Sequence, residues 1–117
     1  MTLTYKQAFL AAYTLLDDLY EQRKYDAFML LLSDMNPFVF LDEAPADPAV
    51  WNEWLKNAKL NQQGGMLTEL GAFQSLISFL QCNAQFYGYD LEAIVNDLQS
   101  TQFQKRWKQL ACKASEI

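Results

Sequence analysis

Apolar residues recur at spacings of three and four along nearly the whole chain, and this period constrains the fold more than any other feature. It is the period of an α-helix with one buried face, whereas a half-buried strand shows a spacing of two. Near the start of the chain the stripe comprises Tyr5, Ala8, Phe9, Ala12, Leu15, Leu16, Leu19 and Tyr20. We therefore expect an all-α protein in which each helix packs one face against its neighbours.

Residues that cap or break helices divide this pattern into about six helices, two of them long. The residues expected to begin helices are Thr4 (with Gln7 completing a capping box), Asp26, Asp47 (followed by Pro48), Thr68 and Asp90, and a last helix follows Ser100 and Thr101. Such side chains accept hydrogen bonds from the free amides of a first helical turn. The expected ends are Asn36-Pro37, the glycine pair Gly64-Gly65 and Gly88. This arrangement is typical of a compact helical bundle.

The predicted helix that opens at Thr68 has the widest apolar stripe in the chain. The stripe comprises Leu70, Phe73, Leu76, Ile77, Leu80, Ala84 and Tyr87, widened by Phe79 and Phe86. An apolar face of this width must be covered from more than one side, so we expect this helix to lie at the centre of the bundle.

The least regular stretch is the segment 36–46, in which Pro37 and Pro45 flank the apolar run Phe38-Val39-Phe40-Leu41. One isolated strand could not satisfy its ladder hydrogen bonds. We therefore expect an extended segment that is folded over the core.

The helix that follows this segment carries Trp51 and Trp54 on one stripe with Leu55. The shared stripe favours core positions for both tryptophans. Tryptophan is also enriched among the residues that dominate protein interfaces, so a binding role for them stays open.

The length of the chain indicates a single helical domain that spans residues 1–117, since there is no internal repeat and no Gly/Ser linker. The 51% hydrophobic fraction is sufficient for a core without disulfides. No apolar run approaches the roughly 20 residues that span a bilayer. Lys6 and polar residues also occupy the start of the chain, where an export signal would be apolar. We expect a cytoplasmic protein with no membrane partner.

The chain contains no histidine, which removes the commonest general base and the usual metal ligand. Cys82 and Cys112 lie 30 positions apart with no second pair, so they indicate neither a disulfide framework nor a zinc site, and we expect reduced thiols. Asp42, Glu43 and Asp47 lack the glycine and the terminal glutamate of an EF-hand loop. We predict a non-enzymatic protein with no catalytic residue, no metal and no cofactor.

Charge is distributed unevenly along the chain. Residues 17–53 include nine acidic and two basic side chains, a local net charge of −7, whereas residues 101–117 include four basic and one acidic, a net charge of +3. The nine acids are Asp17, Asp18, Glu21, Asp26, Asp34, Asp42, Glu43, Asp47 and Glu53. This asymmetry predicts an acidic face that attracts a basic protein and repels nucleic acid.

Phe38, Phe40 and Trp51 lie within or beside this acidic region and are the candidate apolar anchors of such an interface. Two plainer interpretations also stay open. The acids can be ordinary solvated surface, and the basic C-terminal helix can pair with them inside the molecule.

Two passages of the chain, residues 31–35 (LLSDM) and 41–54 (LDEAPADPAVWNEW), resemble a pattern found in small bacterial helical proteins. In that pattern an acidic, leucine-rich helix end leads through a D-x-x-P-x-D-P-x-x-W-x-x-W turn into the next helix. Residues 5–9 and 68–73 are similar too, so the likeness extends over most of the chain. The pattern resembles that of the immunity proteins encoded beside polymorphic toxins, including those of contact-dependent growth inhibition systems. The resemblance implies a cytoplasmic antidote that binds and blocks a cognate toxin domain, and many such toxins are basic nucleases.

Two other functions remain open from the sequence. One is a non-enzymatic helical adaptor or regulatory module that uses apolar surface around Phe38 and Phe40. The other is a protein that binds a small molecule in the core of the bundle. For a protein-binding chain of this kind we expect a monomer or a weak homodimer.

Overall fold

A computed structural model of the chain describes all of residues 1–117. The helices are α1 (Tyr5–Arg23), α2 (Phe28–Met35), α3 (Pro48–Lys59), α4 (Glu69–Tyr87), α5 (Leu91–Leu98) and α6 (Thr101–Ala114), and the strands are β1 (Thr2–Leu3) and β2 (Leu67–Thr68). The predicted all-α bundle of six helices is confirmed, and its two long helices are α1 and α4, each of 19 residues. None of the helices combines the length and the apolarity that a bilayer crossing requires.

Four of the five predicted N-terminal caps are confirmed. Thr4 Oγ1 accepts a hydrogen bond from Gln7 N at 3.0 Å, and Gln7 Oε1 accepts one from Thr4 N at 2.8 Å, which completes the capping box of α1. The caps of α3, α4 and α5 each accept a hydrogen bond from an amide of the first turn; they are Asp47, Thr68 and Asp90. These local bonds satisfy donors that the helix itself leaves unpaired.

Two of the three predicted helix ends are confirmed, whereas the glycine pair Gly64-Gly65 does not end α3, which stops at Lys59, and lies instead in the turn between Gln63 and Met66. The second helix stops at Met35, before Asn36-Pro37. The fourth stops at Tyr87, and Gly88 follows with a φ of 82°, a left-handed conformation that costs glycine little.

The prediction that Asp26 caps α2 is wrong. The residue that precedes α2 is Ala27, which has a φ of 64° and makes no side-chain cap hydrogen bond. Asp26 therefore lies one position too early for its carboxylate to reach the free amides of the first turn. The backbone path of the α1–α2 turn, with Lys24 also left-handed at a φ of 52°, determines where α2 begins.

The core is a single cluster of buried apolar side chains, with α1 packed on α6 and α3 packed on α4. Trp54 of α3 is fully buried. Its ring meets the Phe9 ring of α1 edge-on at 5.6 Å and the Phe79 ring of α4 at 5.7 Å between centroids. Its Nε1 donates to Tyr5 O at 3.0 Å, so one side chain joins three helices and carries no unpaired polar atom.

A two-stranded antiparallel sheet, which the sequence pattern did not predict, joins the start of the chain to the start of α4. Thr2 pairs with Thr68, and Leu3 pairs with Leu67. Both leucines are fully buried beneath the helices. Strands of two residues are too short to show a period of two, so their pairing depends on tertiary packing.

The buried face of α4 is narrower than the sequence predicts. Leu70 and Phe86, which were expected in the apolar stripe, are 64% and 84% exposed. They lie in the first and last turns of α4, where no neighbouring element covers them. The expectation that α4 is central holds for Leu76, Phe79 and Leu80, which are fully buried.

We expect Trp54→Ala to lower the free energy of unfolding by about 3–5 kcal/mol, because it removes a buried aromatic side chain that contacts three helices. Trp51→Ala is the matched control, since Trp51 lies on the same helix and is only partly buried. We expect Trp51→Ala to lower the free energy of unfolding by a clearly smaller amount. Urea denaturation of both variants measures the difference, and equal losses would contradict the central position of Trp54.

Candidate protein-interaction surface

Residues 36–46 form a compact loop whose two ends meet. Asn36 O accepts a hydrogen bond from Ala46 N at 3.1 Å, and Asp34 O accepts one from Asp47 N at 3.0 Å. A loop of this length with joined ends is an Ω-loop, and we call it the Ω-loop below. Such loops are frequently functional because a rigid base presents their tip to solvent.

Side-chain hydrogen bonds hold the Ω-loop in one conformation. Asn36 Oδ1 accepts from Phe38 N at 2.9 Å, and Asp42 Oδ1 accepts from Ala44 N at 3.1 Å. Both are turns in which a polar side chain replaces a backbone acceptor. In addition, Lys6 Nζ donates to Asp42 O at 2.7 Å and so attaches the loop to α1. The loop is therefore ordered by polar contacts, without burial of its apolar tip.

The expectation that the apolar run folds over the core is wrong. The apolar run Phe38, Val39, Phe40 and Leu41, which we call the loop tip, is exposed: the first three side chains are 70%, 57% and 50% exposed, and Leu41 is fully exposed. The turns at each end of the run direct it outward. Within the loop tip, only Phe38 contacts another aromatic ring, that of Tyr13 on α1, at 6.0 Å between ring centroids.

An open groove of about 770 Å³ separates the Ω-loop from the first turns of α3. Its lining residues are Val39, Phe40, Leu41, Asp42, Ala44, Pro45, Pro48, Trp51 and Asn52. Two of the three predicted apolar anchors, Phe40 and Trp51, therefore share one groove, and Phe38 lies on the α1 side of the loop. The Trp51 ring also meets the Phe9 ring edge-on at 5.6 Å, so this anchor is partly buried and held in place.

The nine predicted acidic residues do not form one uniform face. Two of them are already paired within the molecule: Asp18 Oδ2 lies 2.7 Å from Arg106 Nε of α6, and Glu21 lies 3.2 Å from Lys24 Nζ. The interpretation that the basic C-terminal helix pairs with acidic α1 is correct for the Arg106 contact. Asp26 is exposed in the α1–α2 turn and forms no salt bridge.

Three other acids converge on the Tyr87 hydroxyl at the end of α4. Tyr87 Oη donates to Asp34 Oδ2 at 2.6 Å. The pKa of Tyr87 is raised by burial first, then by that hydrogen bond and by the charges of Asp34, Asp47 and Glu53. None of these three carboxylates forms a salt bridge. Asp42 and Glu43, in the Ω-loop, also lack a salt bridge, so five of the nine predicted acids lie unpaired around the loop and α3.

Asp17 extends this unpaired charge to α1. Its pKa is raised by burial first and then by the negative charges of Glu21 and Asp18. The pKa of Tyr13 is raised as well, by burial and then by Asp17, which places Asp17 beside the ring that contacts Phe38. Asp17 thus lies one helical turn from the tyrosine that contacts Phe38, and Asp42 and Glu43 directly follow the loop tip in the chain.

The sequence pattern does not mark Tyr13 or Tyr87 as part of this surface. Tyr87 belonged to the predicted core stripe, and its hydroxyl in fact joins α4 to the acidic end of α2. No local signal predicts this contact, because Tyr87 and Asp34 are 53 positions apart.

No cluster of three or more His, Cys, Asp and Glu side chains is arranged to hold a metal ion. Cys82 and Cys112 are both free and exposed. No family model, curated protein or solved structure matches this chain.

We expect Asp17→Asn to stabilise the protein near neutral pH by on the order of 0.5 kcal/mol. A carboxyl whose pKa is raised in the folded state costs stability when it is charged. The gain should therefore shrink as pH falls through the raised pKa and vanish below the unfolded pKa, where Asp17 is protonated in both states.

Thermal unfolding of parent and variant at pH 7 and pH 3 measures this effect. Asp18→Asn is the control, because it breaks the contact with Arg106 and should bring no gain at either pH. If Asp17→Asn were no more stable than the parent at pH 7, a raised pKa of Asp17 in the folded protein would be contradicted.

Proposed function

We propose that this chain is an immunity protein that binds a cognate toxin domain through the Ω-loop tip and the carboxylates beside it. The observation that supports this most is the loop tip itself. Four consecutive apolar side chains are exposed there, on a loop that hydrogen bonds hold in place. Contiguous exposed apolar surface with a polar border is typical of protein interaction sites.

The physical properties of the loop favour tight binding. Because its conformation is set before binding, the complex loses less conformational entropy than one made by a flexible segment. Phe38 and Phe40 supply large apolar area with few rotatable bonds, and Trp51 lines the groove beside Phe40.

The unpaired carboxylates favour a basic partner. Asp42, Glu43, Asp47 and Glu53 make no salt bridge in this chain, so their field extends into solvent. Such a field accelerates association with a positively charged protein, and the effect falls as salt increases. A toxin that acts on nucleic acid carries a basic active site, and an acidic surface placed over that site excludes the phosphate backbone. We propose that this encounter takes place in the cytoplasm and needs no cofactor and no catalysis.

The exposed loop tip also favours a second candidate, an adaptor that pairs with another copy of itself. The protein has a net charge of −5, so two copies repel each other unless the apolar contact is large. Light scattering of the purified chain at several concentrations distinguishes the two candidates. A stable dimer formed through the loop tip would favour the adaptor.

The direct test of the immunity function is co-expression with the product of the immediately upstream gene. We expect a stable one-to-one complex and restored growth of cells that express that product. Recovery of this chain alone, with no protection of growth, would contradict the proposal.

Charge neutralisation in the Ω-loop should slow binding to the toxin. We expect Asp42→Asn with Glu43→Gln to lower the association rate several-fold at low salt and to flatten its salt dependence, and addition of Asp47→Asn and Glu53→Gln to extend both effects. Asparagine preserves the turn at position 42 and the cap at position 47. The matched control is Glu92→Gln with Glu116→Gln, two exposed acids outside this surface. Equal effects of the two double variants would show that only net charge matters.

Truncation of the loop tip should instead act on dissociation. We expect Phe38→Ser with Phe40→Ser to raise the dissociation rate by about tenfold or more, as loss of aromatic anchors does. Because both rings are at least half exposed, the melting temperature should change little. Surface plasmon resonance measures the rate, and Leu60→Ser with Leu70→Ser, which alters exposed apolar residues outside the loop, is the control. An unchanged dissociation rate would rule out the loop tip as the anchor.

A further inference from the structure

The groove between the Ω-loop and α3 has mostly apolar walls. Its volume of about 770 Å³ is large enough for several side chains, and Asp42 and Asn52 are its only lining residues with a charged or amide side chain. Apolar walls favour burial by a partner, but they do not select which partner binds. The selection therefore depends on the few polar atoms among these walls.

Trp51 brings an unpaired hydrogen-bond donor to the groove. The other two indoles of the chain are paired, since Trp54 Nε1 donates to Tyr5 O at 3.0 Å and Trp107 Nε1 donates to Glu69 O at 3.3 Å. Trp51 Nε1 donates to no atom of the chain, and it is not buried. The ring that lines the groove therefore keeps a free N–H.

A partner that covers the groove has to accept a hydrogen bond from this indole. A donor that loses water and gains no acceptor weakens binding. The backbone carbonyls of a helix are already paired within the helix, whereas those of an extended segment are free. Asn52 is exposed, lines the same groove and makes no side-chain hydrogen bond, so its amide is a second free donor. These donors favour an extended segment over a helix.

The walls of the groove offer few acceptors in return. Each ordinary residue of an extended segment brings an N–H that needs an acceptor, and the apolar side chains of the lining provide none. Proline has a carbonyl but no N–H, and a polyproline II segment keeps its carbonyls free. Its rings also pack on aromatic side chains, which Trp51 and Phe40 provide here. The groove therefore matches a segment that contains proline.

Asp42 determines the charge of the matching segment. Its carboxylate belongs to the groove lining and forms no salt bridge, and its Oδ1 accepts from Ala44 N. An adjoining recess of about 130 Å³ shares Trp51 and Asp42 with the groove and adds Glu43 and Lys6. Lys6 Nζ is bound to Asp42 O, so two carboxylates and one cation leave this end of the groove negative. A lysine or arginine beside the proline segment would complement that charge.

We propose that the groove binds an extended, proline-containing segment of the basic partner, with a lysine or arginine at one end. A carbonyl of the segment accepts from Trp51 Nε1, a proline ring packs on the indole, and the cation pairs with Asp42. The inference rests on the proposed function, since it names the part of the toxin domain that the acidic surface binds.

The indole N–H signals of the ¹⁵N-labelled full-length chain test this directly, and Trp51→Phe identifies the Trp51 signal by its loss. We expect the Trp51 N–H to exchange with water faster than those of Trp54 and Trp107, which are bonded to carbonyls. The probe is the peptide acetyl-Pro-Pro-Leu-Pro-Pro-Arg-amide. Its titration should move the Trp51 indole proton downfield to saturation and leave the other two in place. No shift of the Trp51 signal, or equal shifts of all three, would overturn the proposal.

Two control peptides separate the proline segment from its charge. Replacement of all four prolines by alanine keeps the charge and should weaken binding about tenfold, because the preformed extended backbone is lost. Replacement of the arginine by glutamine should weaken it only a few-fold and remove most of its salt dependence. If the alanine peptide bound as tightly as the proline peptide, charge alone would explain binding and the proposal would be wrong.

Variants identify the groups of the chain that bind the peptide. Trp51→Phe keeps an aromatic ring and removes the donor, so it should weaken binding about fivefold, as loss of one hydrogen bond does. Asp42→Asn keeps the turn of the Ω-loop and should weaken binding a few-fold at low salt. Leu70→Ser alters an exposed apolar residue outside the groove and is the control. The unchanged amide spectrum away from the groove verifies that each variant is folded. Full affinity of both groove variants would also overturn the proposal.

The same reagents separate this inference from the proposed function. If the parent binds a toxin, and neither Trp51→Phe nor an excess of the proline peptide changes the rates, the groove assignment is wrong and the immunity function stands. If the peptide binds in the groove but no toxin complex forms, the immunity function fails and the groove assignment stands.

Discussion

The burial of Trp54 is the interaction on which the other features depend. Its ring lies between Phe9 of α1 and Phe79 of α4, and its Nε1 donates to Tyr5 O, so the rotation of α3 about its axis is set. With Trp54 inward, Trp51 comes to the groove beside the Ω-loop, and Glu53 comes to a cavity beside α4. A helix rotated by one residue would move both side chains to other faces, because adjacent side chains differ by about 100°.

The surface around α3 has features that cost the isolated chain stability. The loop tip exposes four apolar side chains, and the carboxylates around Tyr87 lack cations. Asn83 keeps an unpaired polar atom in a buried position. A basic partner with apolar surface relieves the first two of these costs. Local departures from good packing and pairing are expected where a protein binds something else, which supports the proposed function.

Prediction from sequence was most accurate where the determining contacts are local. The capping box of Thr4 and Gln7 spans three residues, and the cap at Asp47 spans two, so the residues involved are visible in any short window. It failed where the backbone path of a turn or the cover from another element decides. Asp26 was predicted to cap α2 from its residue type, yet the path of the preceding turn places the start of α2 at Phe28. Phe86 was assigned to the core by its spacing, although no element covers that end of α4.

By itself the sequence determined the class of fold, because the apolar period predicts helices and the capping residues predict where they begin and end. It also determined which side chains the surface can use, namely an acidic region with aromatic residues and no histidine. Only the tertiary structure decided how these parts are arranged. The hydrogen bonds that join the two ends of the Ω-loop direct Phe38–Leu41 outward. Arg106 pairs with Asp18, whereas no cation pairs with Asp34. The reason is that exposure and charge pairing depend on residues far apart in the chain. The helical period of a segment shows only which of its own faces is apolar.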